Sequence, residues 1–261
     1  MNKDSDKQSF WEHLDVLRGT FFRIAAVILV FATAAFMMKN ALFDIILAPN
    51  DPDFLTYRIL THFDPDSERF SIPLINIGLA DQFIIHMKTA FEVGFLFALP
   101  YVLYQLFRFV SPALYDAERK YVVRVVVSGY FMFVTGVAIA YFMIFPLTFR
   151  FLASYQVSQL IPNTITLQSY MSALSMMSVA MGIVFEIPVL AWLLAKLGFI
   201  SHEFLCRYRR HAIVVILILA AIITPTADIF TLMMVSLPMW LLYEASVLIV
   251  RRTVPINSRA G

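Results

Sequence analysis

Chemistry in an apolar chain is sought first where a charged side chain interrupts a hydrophobic run, and Glu186 is such a residue. It stands in the run 168–197, ten residues before Lys196, which places it ~15 Å inside the nearer boundary if the run is helical. A carboxyl group at that depth in hydrocarbon costs roughly 2.5–3.5 kcal/mol, so it faces protein or water and has a task. Ser175, Ser178, Gly182 and Glu186 follow one another at intervals of 3, 4 and 4 residues, and these intervals put all four on one helix face. The stripe is either a close helix-packing face with a protonated, hydrogen-bonded Glu or a functional polar groove. Lys88 and Glu92 lie one helical turn apart and can neutralise each other. Glu118 stands beside Arg119 and Lys120; an isolated acid in a basic loop is either a solvated partner of its neighbours or a recognition group.

The other reactive types exclude functions. The five His, at 13, 62, 86, 202 and 211, have no metal-ligand spacing, and Cys206, the single cysteine, rules out an internal disulfide. No metal, cofactor or redox site is expected. Ser128-Gly129 lacks the preceding Gly of a Gly-x-Ser-Gly pattern, and only His211, at an edge, falls near the later apolar runs, so an intramembrane serine protease has no base for its nucleophile. No catalytic residue is expected, and the chain reads as no enzyme. Nucleic-acid binding has no support beyond ordinary basic loops.

The elements that must position these groups are membrane helices. Of 261 residues, 60% are apolar and 15% charged, with 25 Phe, 13 Met and only 8 Gly; soluble domains carry about a quarter charged residues. Apolar runs at 21–38, 83–107, 121–148, 168–197, 212–224 and 229–250 predict six spans. The fifth, at 13 residues, reaches only ~20 Å against a ~30 Å core. Either the bilayer thins there or the fifth and sixth runs form a re-entrant hairpin. Pro100, Pro188 and Pro238 fall inside three of the runs and predict bends.

Fifteen of the 20 basic residues fall on alternate segments (termini, 108–124 and 196–210), whereas the segment 39–82 is acidic. Both termini are therefore expected in the cytoplasm. The chain reads as one membrane domain over 1–261: a cytoplasmic amphipathic helix at 1–20, an external cap at 39–82, a cytoplasmic loop at 108–120, an external loop at 149–167 and a cytoplasmic loop at 198–211. Pro49, Pro52, Pro65 and Pro73 break the cap into short helical pieces. No internal repeat is evident, which disfavours the alternative of a proton-coupled small-solute transporter using Glu186 as its relay.

Residues 104–115, Tyr-Gln-Leu-Phe-Arg-Phe-Val-Ser-Pro-Ala-Leu-Tyr, followed by Glu118-Arg119-Lys120, resemble the first cytoplasmic loop of the TatC family of twin-arginine protein translocases. Further matches are His13-Leu14 with Leu17-Arg18, Phe145-Pro146, Phe185-Glu186-Ile187-Pro188, Thr224-Pro225 with Asp228, and Pro238 through Tyr243-Glu244. The resemblance implies an all-α fold of six curved helices shaped like a cupped hand, with the last two spans short. It implies a bacterial inner-membrane receptor for signal peptides bearing two adjacent arginines, moving folded proteins by the proton-motive force with TatA- and TatB-type single-span partners and self-association in a larger complex. Glu118, Phe109, Arg119 and Lys120 are expected to form the signal-binding surface with Arg18. Val16 stands where the family usually has Glu, and Asp15 or Glu12 would supply the second charge there. Glu186, Ser175, Ser178, Asp228 and Glu244 are expected as polar contacts for partner helices.

Overall fold

The computed structural model describes residues 3–63, 71–110, 119–158, 163–224, 226 and 228–253, with side chains outside 1–14, 16, 63, 107–122 and 124. α1 (Lys3–Met37) is one helix of 35 residues, so the amphipathic lead-in and the first span are continuous. The cap follows as α2 (Lys39–Leu47), a 3-10 turn (Ala48–Asn50), α3 (Leu55–Phe63) and the short strand β1 (Leu74–Ile75). α4 (Asp81–Val110) carries Pro100 inside it. α5 (Arg119–Ile139) runs through a π-helical turn (Ala140–Ile144) into α6 (Phe145–Ser154), and the three together make span three. The strand β2 (Ile165–Thr166) pairs in parallel with β1, Leu74 opposite Ile165 and Ile75 opposite Thr166. α7 (Leu167–Phe185) and α8 (Ile187–Lys196) make span four, and α9 (His202–Arg207), α10 (Arg209–Ile223) and α11 (Ile229–Arg251) complete the described chain.

Five helical stretches are long and apolar enough to cross a membrane: Leu17–Met37, Asp81–Leu106, Val125–Ser154, Leu167–Lys196 and Ile229–Arg251. α10 is the remaining span. Of the last pair it carries the shortness, its 15 residues covering ~23 Å, whereas α11 has 23 residues. Six spans return both termini to one side.

The chain forms two compact units, one of Met1–Lys39 with His86–Tyr130 and the other of Asn40–Ile85 with Phe131–Gly261. In the first, α1 meets α4 at backbone contact. A Cβ on Gly94 would lie 2.5 Å from the Ala32 amide nitrogen, and Ala32, Ala35, Ala90 and Ala98 are buried. Lipid is as apolar as leucine, so close packing of small residues is what holds membrane helices together. Phe36 stacks on His86 with ring centroids 4.0 Å apart.

In the second unit the cap is held to span three by a reciprocal device. Pro49 has no N–H, so the Ile45 carbonyl four residues earlier lacks its helical donor; the Tyr141 hydroxyl donates to it. Pro146 deprives the Phe142 carbonyl in the same way, and the Thr56 hydroxyl donates to that one. Each proline opens an acceptor on its own segment, and each acceptor is filled by a hydroxyl of the facing segment. Tyr170 Oη donates to the Ile46 carbonyl at 3.0 Å and Tyr57 Oη to the Pro146 carbonyl at 3.2 Å. Burial pushes the Tyr57 phenol well above the ordinary tyrosine range against a smaller opposing pull from Arg150, so it remains a donor.

Replacing Thr56 by Val together with Tyr141 by Phe is expected to cost about 1–3 kcal/mol, two bonds at about 0.5–1.5 each. The readout is amide exchange over 40–63 in the folded protein. Exchange should quicken there and stay unchanged in α8; equal change in both regions would mean global loosening and not release of the cap.

Candidate functional site

Pro188 dictates how Glu186 is displayed. Without an N–H it ends the helical ladder, and its ring would collide with the carbonyl of Val184, so the span breaks at residue 186. Glu186 closes α7 and precedes α8: its N–H bonds to the Ile183 carbonyl at 3.0 Å and its carbonyl accepts from Leu190 N–H at 2.9 Å. The side chain is half-buried, and Oε1 is enclosed without a hydrogen-bond partner among the described residues. An unsatisfied acceptor inside a membrane protein is costly.

The polar stripe predicted around Glu186 divides. Gly182 is buried, and a Cβ there would lie 2.7 Å from the Phe133 ring, so this position serves the close approach of α7 to span three. Gly136 faces it across the same contact: its Cβ would lie 2.6 Å from the Met181 carbonyl oxygen. Ser175 and Ser178 are half-buried on the same face.

A second cluster lies at the terminal side of α11. Glu244 Oε2 accepts from Arg209 Nη2 at 2.8 Å, Tyr243 Oη donates to the Leu205 carbonyl at 2.8 Å, and a ring nitrogen of His202 lies 3.4 Å from the Val247 carbonyl. These contacts brace α9 and the start of α10 against α11, beside a small apolar cluster of Ala191, Ala195 and Val250 flanked by Ile200 and Leu205. Glu244 is thus occupied within the chain. Its pair is partly exposed, and such pairs contribute at most about 1 kcal/mol.

Asp228 caps α11. Its Oδ1 accepts from Thr231 N–H at 2.8 Å and its Oδ2 from the Thr226 hydroxyl at 2.7 Å. Burial pushes this carboxyl upward, but the bonds from the Thr231 N–H and the Thr226 hydroxyl outweigh it and hold the group below the usual aspartate range. The stabilisation it supplies is therefore present above the ordinary aspartate value and is lost as pH falls through the lowered folded one. Asp228→Ala is expected to cost roughly 0.5–2 kcal/mol, and the deficit against the parent should shrink when unfolding is measured in acid; a pH-independent deficit would overturn this account of the cap.

Between α10 and α11 lies a groove of about 400 Å³, lined by Ile213, Leu217, Met233, Leu237 and Trp240 with Ser236 as its polar group. On α1, Asp15 and Arg18 are exposed, and the Arg18 guanidinium lies over the Phe22 ring at 5.8 Å from its centroid. Glu118 and the side chains of Glu12, Phe109, Arg119 and Lys120 lie outside the described residues. The backbone places Phe109 in the last turn of α4 and Arg119 and Lys120 at the start of α5. Lys88 is exposed and Glu92 half-buried, one turn apart on α4.

Sequence reasoning missed the Arg209–Glu244 pair and the hydroxyl contacts of the cap. A proline four residues after a helical carbonyl, at 49 and 146, was the available signal for the latter.

Residues 12–238 match the family described as Sec-independent protein translocase protein (TatC). The chain belongs to the TatC family. The TatC of Blattabacterium sp. subsp. Periplaneta americana is 33% identical over 95% of this chain and 97% of its own, and that of Aquifex aeolicus is 32% identical over 90% and 92%. A crystal structure described as the twin arginine translocase receptor TatC superposes with a TM-score of 0.73 at 30% identity, covering 92% of this chain and 98% of its own. A second, in DDM, gives 0.75 over 91% and 99%. The six-span helical fold is accordingly that of TatC, and the chain is a multi-span membrane component of the Sec-independent translocase. None of these relatives is a solute carrier, and the reading of Glu186 as a carrier's proton relay gains no support.

Proposed function

We propose that the chain is the signal-recognising core of a bacterial inner-membrane translocase for folded proteins driven by the proton-motive force, with both termini in the cytoplasm. Its place in the TatC family carries this reading, and the 104–120 motif indicates where recognition occurs. Glu118, with Phe109, Arg119 and Lys120, receives the paired arginines of a signal peptide; Arg18 and Asp15 or Glu12 border the same surface. A carboxylate accepts two parallel bonds from a planar guanidinium, which a lysine ammonium cannot supply. No covalent step is required.

Glu186 supplies the polar contact for a helix within the membrane. Its enclosed Oε1, without a partner among the described residues, supports this role, because polar groups join helices where lipid offers no alternative. TatA- and TatB-type single-span proteins are the partners, and the apolar groove between α10 and α11 suits a helix of that kind. α10 reaches only ~23 Å, so the bilayer thins beside it, which lowers the barrier to passage. Further copies of the chain complete the complex.

Photo-crosslinking from positions 109 and 118 to a signal peptide bearing Arg-Arg, with a Lys-Lys peptide as competitor, tests the recognition step. Labelling should fall with the Arg-Arg competitor and persist with Lys-Lys. Equal competition by both peptides would refute specific recognition at this loop.

A further inference from the structure

The connection between β1 and α4, residues 76–80, carries no charge, although the cap around it is acidic. It is nonetheless a built loop. Asn76 Nδ2 donates to the Gly78 carbonyl at 2.9 Å, Gly78 N–H donates to Asp81 Oδ2 at 2.9 Å, and Ile84 N–H reaches the Ala80 carbonyl at 3.0 Å. The Asp81 carboxylate lies so close over Gly78 that a Cβ there would sit 2.3 Å from Oδ1. The one charge at the edge of the loop is thus turned onto its backbone, and a side chain at position 78 would displace it.

What this geometry presents outward is apolar. Ile77 is 74% exposed and Leu79 105%. Leu79, Phe83, Met87 and Phe91 recur every four residues, and each is more than half exposed. On a spanning helix such a stripe faces lipid, and Leu79 continues it one turn past the start of α4.

We propose that Ile77 and Leu79 insert into the boundary between headgroups and acyl chains of the leaflet on the cap side, making residues 76–80 an interfacial anchor for the cap. Lipid is the occupant because the surface is continuous with the exposed apolar stripe of α4. An uncharged loop enters that boundary without burying an unpaired charge, and the Gly78 N–H carries its own acceptor with it. The anchor fixes the depth of the cap while partner helices exchange at the other spans.

The single cysteine makes the test direct. In a Cys206→Ser background, nitroxide labels are placed at Leu79→Cys and Ile77→Cys in the full chain reconstituted in phosphatidylcholine nanodiscs, with Asp51→Cys as aqueous reference and Met87→Cys as lipid reference. Oxygen concentrates in hydrocarbon and a polar nickel chelate is excluded from it, so positions 77 and 79 should meet the chelate roughly threefold or more less often than position 51 while retaining oxygen access like position 87. Chelate access equal to that of position 51 would overturn the anchor. Loss of both collisions would also overturn it, showing a protein contact between copies instead.

Discussion

Glu186→Ala is expected to reduce cargo transport by roughly 3- to 30-fold, the equivalent of one hydrogen bond between membrane helices at about 0.6–2 kcal/mol, while capture of an Arg-Arg signal peptide stays within about twofold. The argument is local. Pro188 breaks the span at residue 186 and leaves the carboxyl at the joint, with Oε1 enclosed and without a partner among the described residues. A contact completed only when a second helix arrives stabilises the assembled state and contributes little to the lone chain. Glu186→Gln separates two uses of the group, because the amide keeps a hydrogen-bonding side chain of the same size but carries no titratable proton. Gln should retain most transport in vesicles bearing a proton-motive force. A Gln variant as defective as Ala would remove the hydrogen-bonding role, and unchanged transport in the Ala variant would remove any role for the residue.

Leucine at position 136 or at position 94 is expected to abolish the folded monodisperse species in detergent. The Gly136 Cβ would lie 2.6 Å from the Met181 carbonyl oxygen with the Phe185 ring at 2.8 Å, and the Gly94 Cβ would lie 2.5 Å from the Ala32 amide nitrogen. The obstacle in both cases includes backbone, which yields only by separating two packed spans, so the loss exceeds the 1–3 kcal/mol typical of overpacking. Gly19 is the control: nothing lies within 4 Å of a Cβ there, and Gly19→Ala should leave stability unchanged or raise it by up to about 1 kcal/mol, the helical preference of alanine. Thermal unfolding and elution profiles of the three variants decide the matter; a folded Gly136→Leu protein would refute the close approach of α5 to α7.

The same residues show what a sequence discloses. Five of the six spans were legible because apolar runs of 18 residues or more have one physical reading, and the break at Glu186 was legible because proline acts on its own helix. Glu186 itself stood out as a charge among hydrophobic neighbours. The crowded glycines did not, since Gly136 and Gly19 look alike until another helix is placed beside one of them. The hydroxyl contacts of the cap join Thr56 to Phe142 and Tyr170 to Ile46, pairs far apart in the chain and invisible to any local pattern. The 104–120 motif was legible only through the family resemblance, because nothing in the spacing of Glu118 alone distinguishes a recognition acid from a solvated one.

The two-residue sheet carries a consequence for how the molecule is made. β1 emerges from the ribosome two spans ahead of β2, its partner, and Ile46 likewise precedes the Tyr170 hydroxyl that binds it. Until residue 170 has been synthesised and threaded into the bilayer, residues 40–63 have only the contacts that span three supplies, from the Tyr141 hydroxyl and the Phe142 and Pro146 carbonyls. Assembly is therefore ordered by translation: the sheet and the Tyr170 bond close only when the fourth span is in place, and a chain truncated after the third should expose residues 40–80 to added protease more readily than the whole chain does.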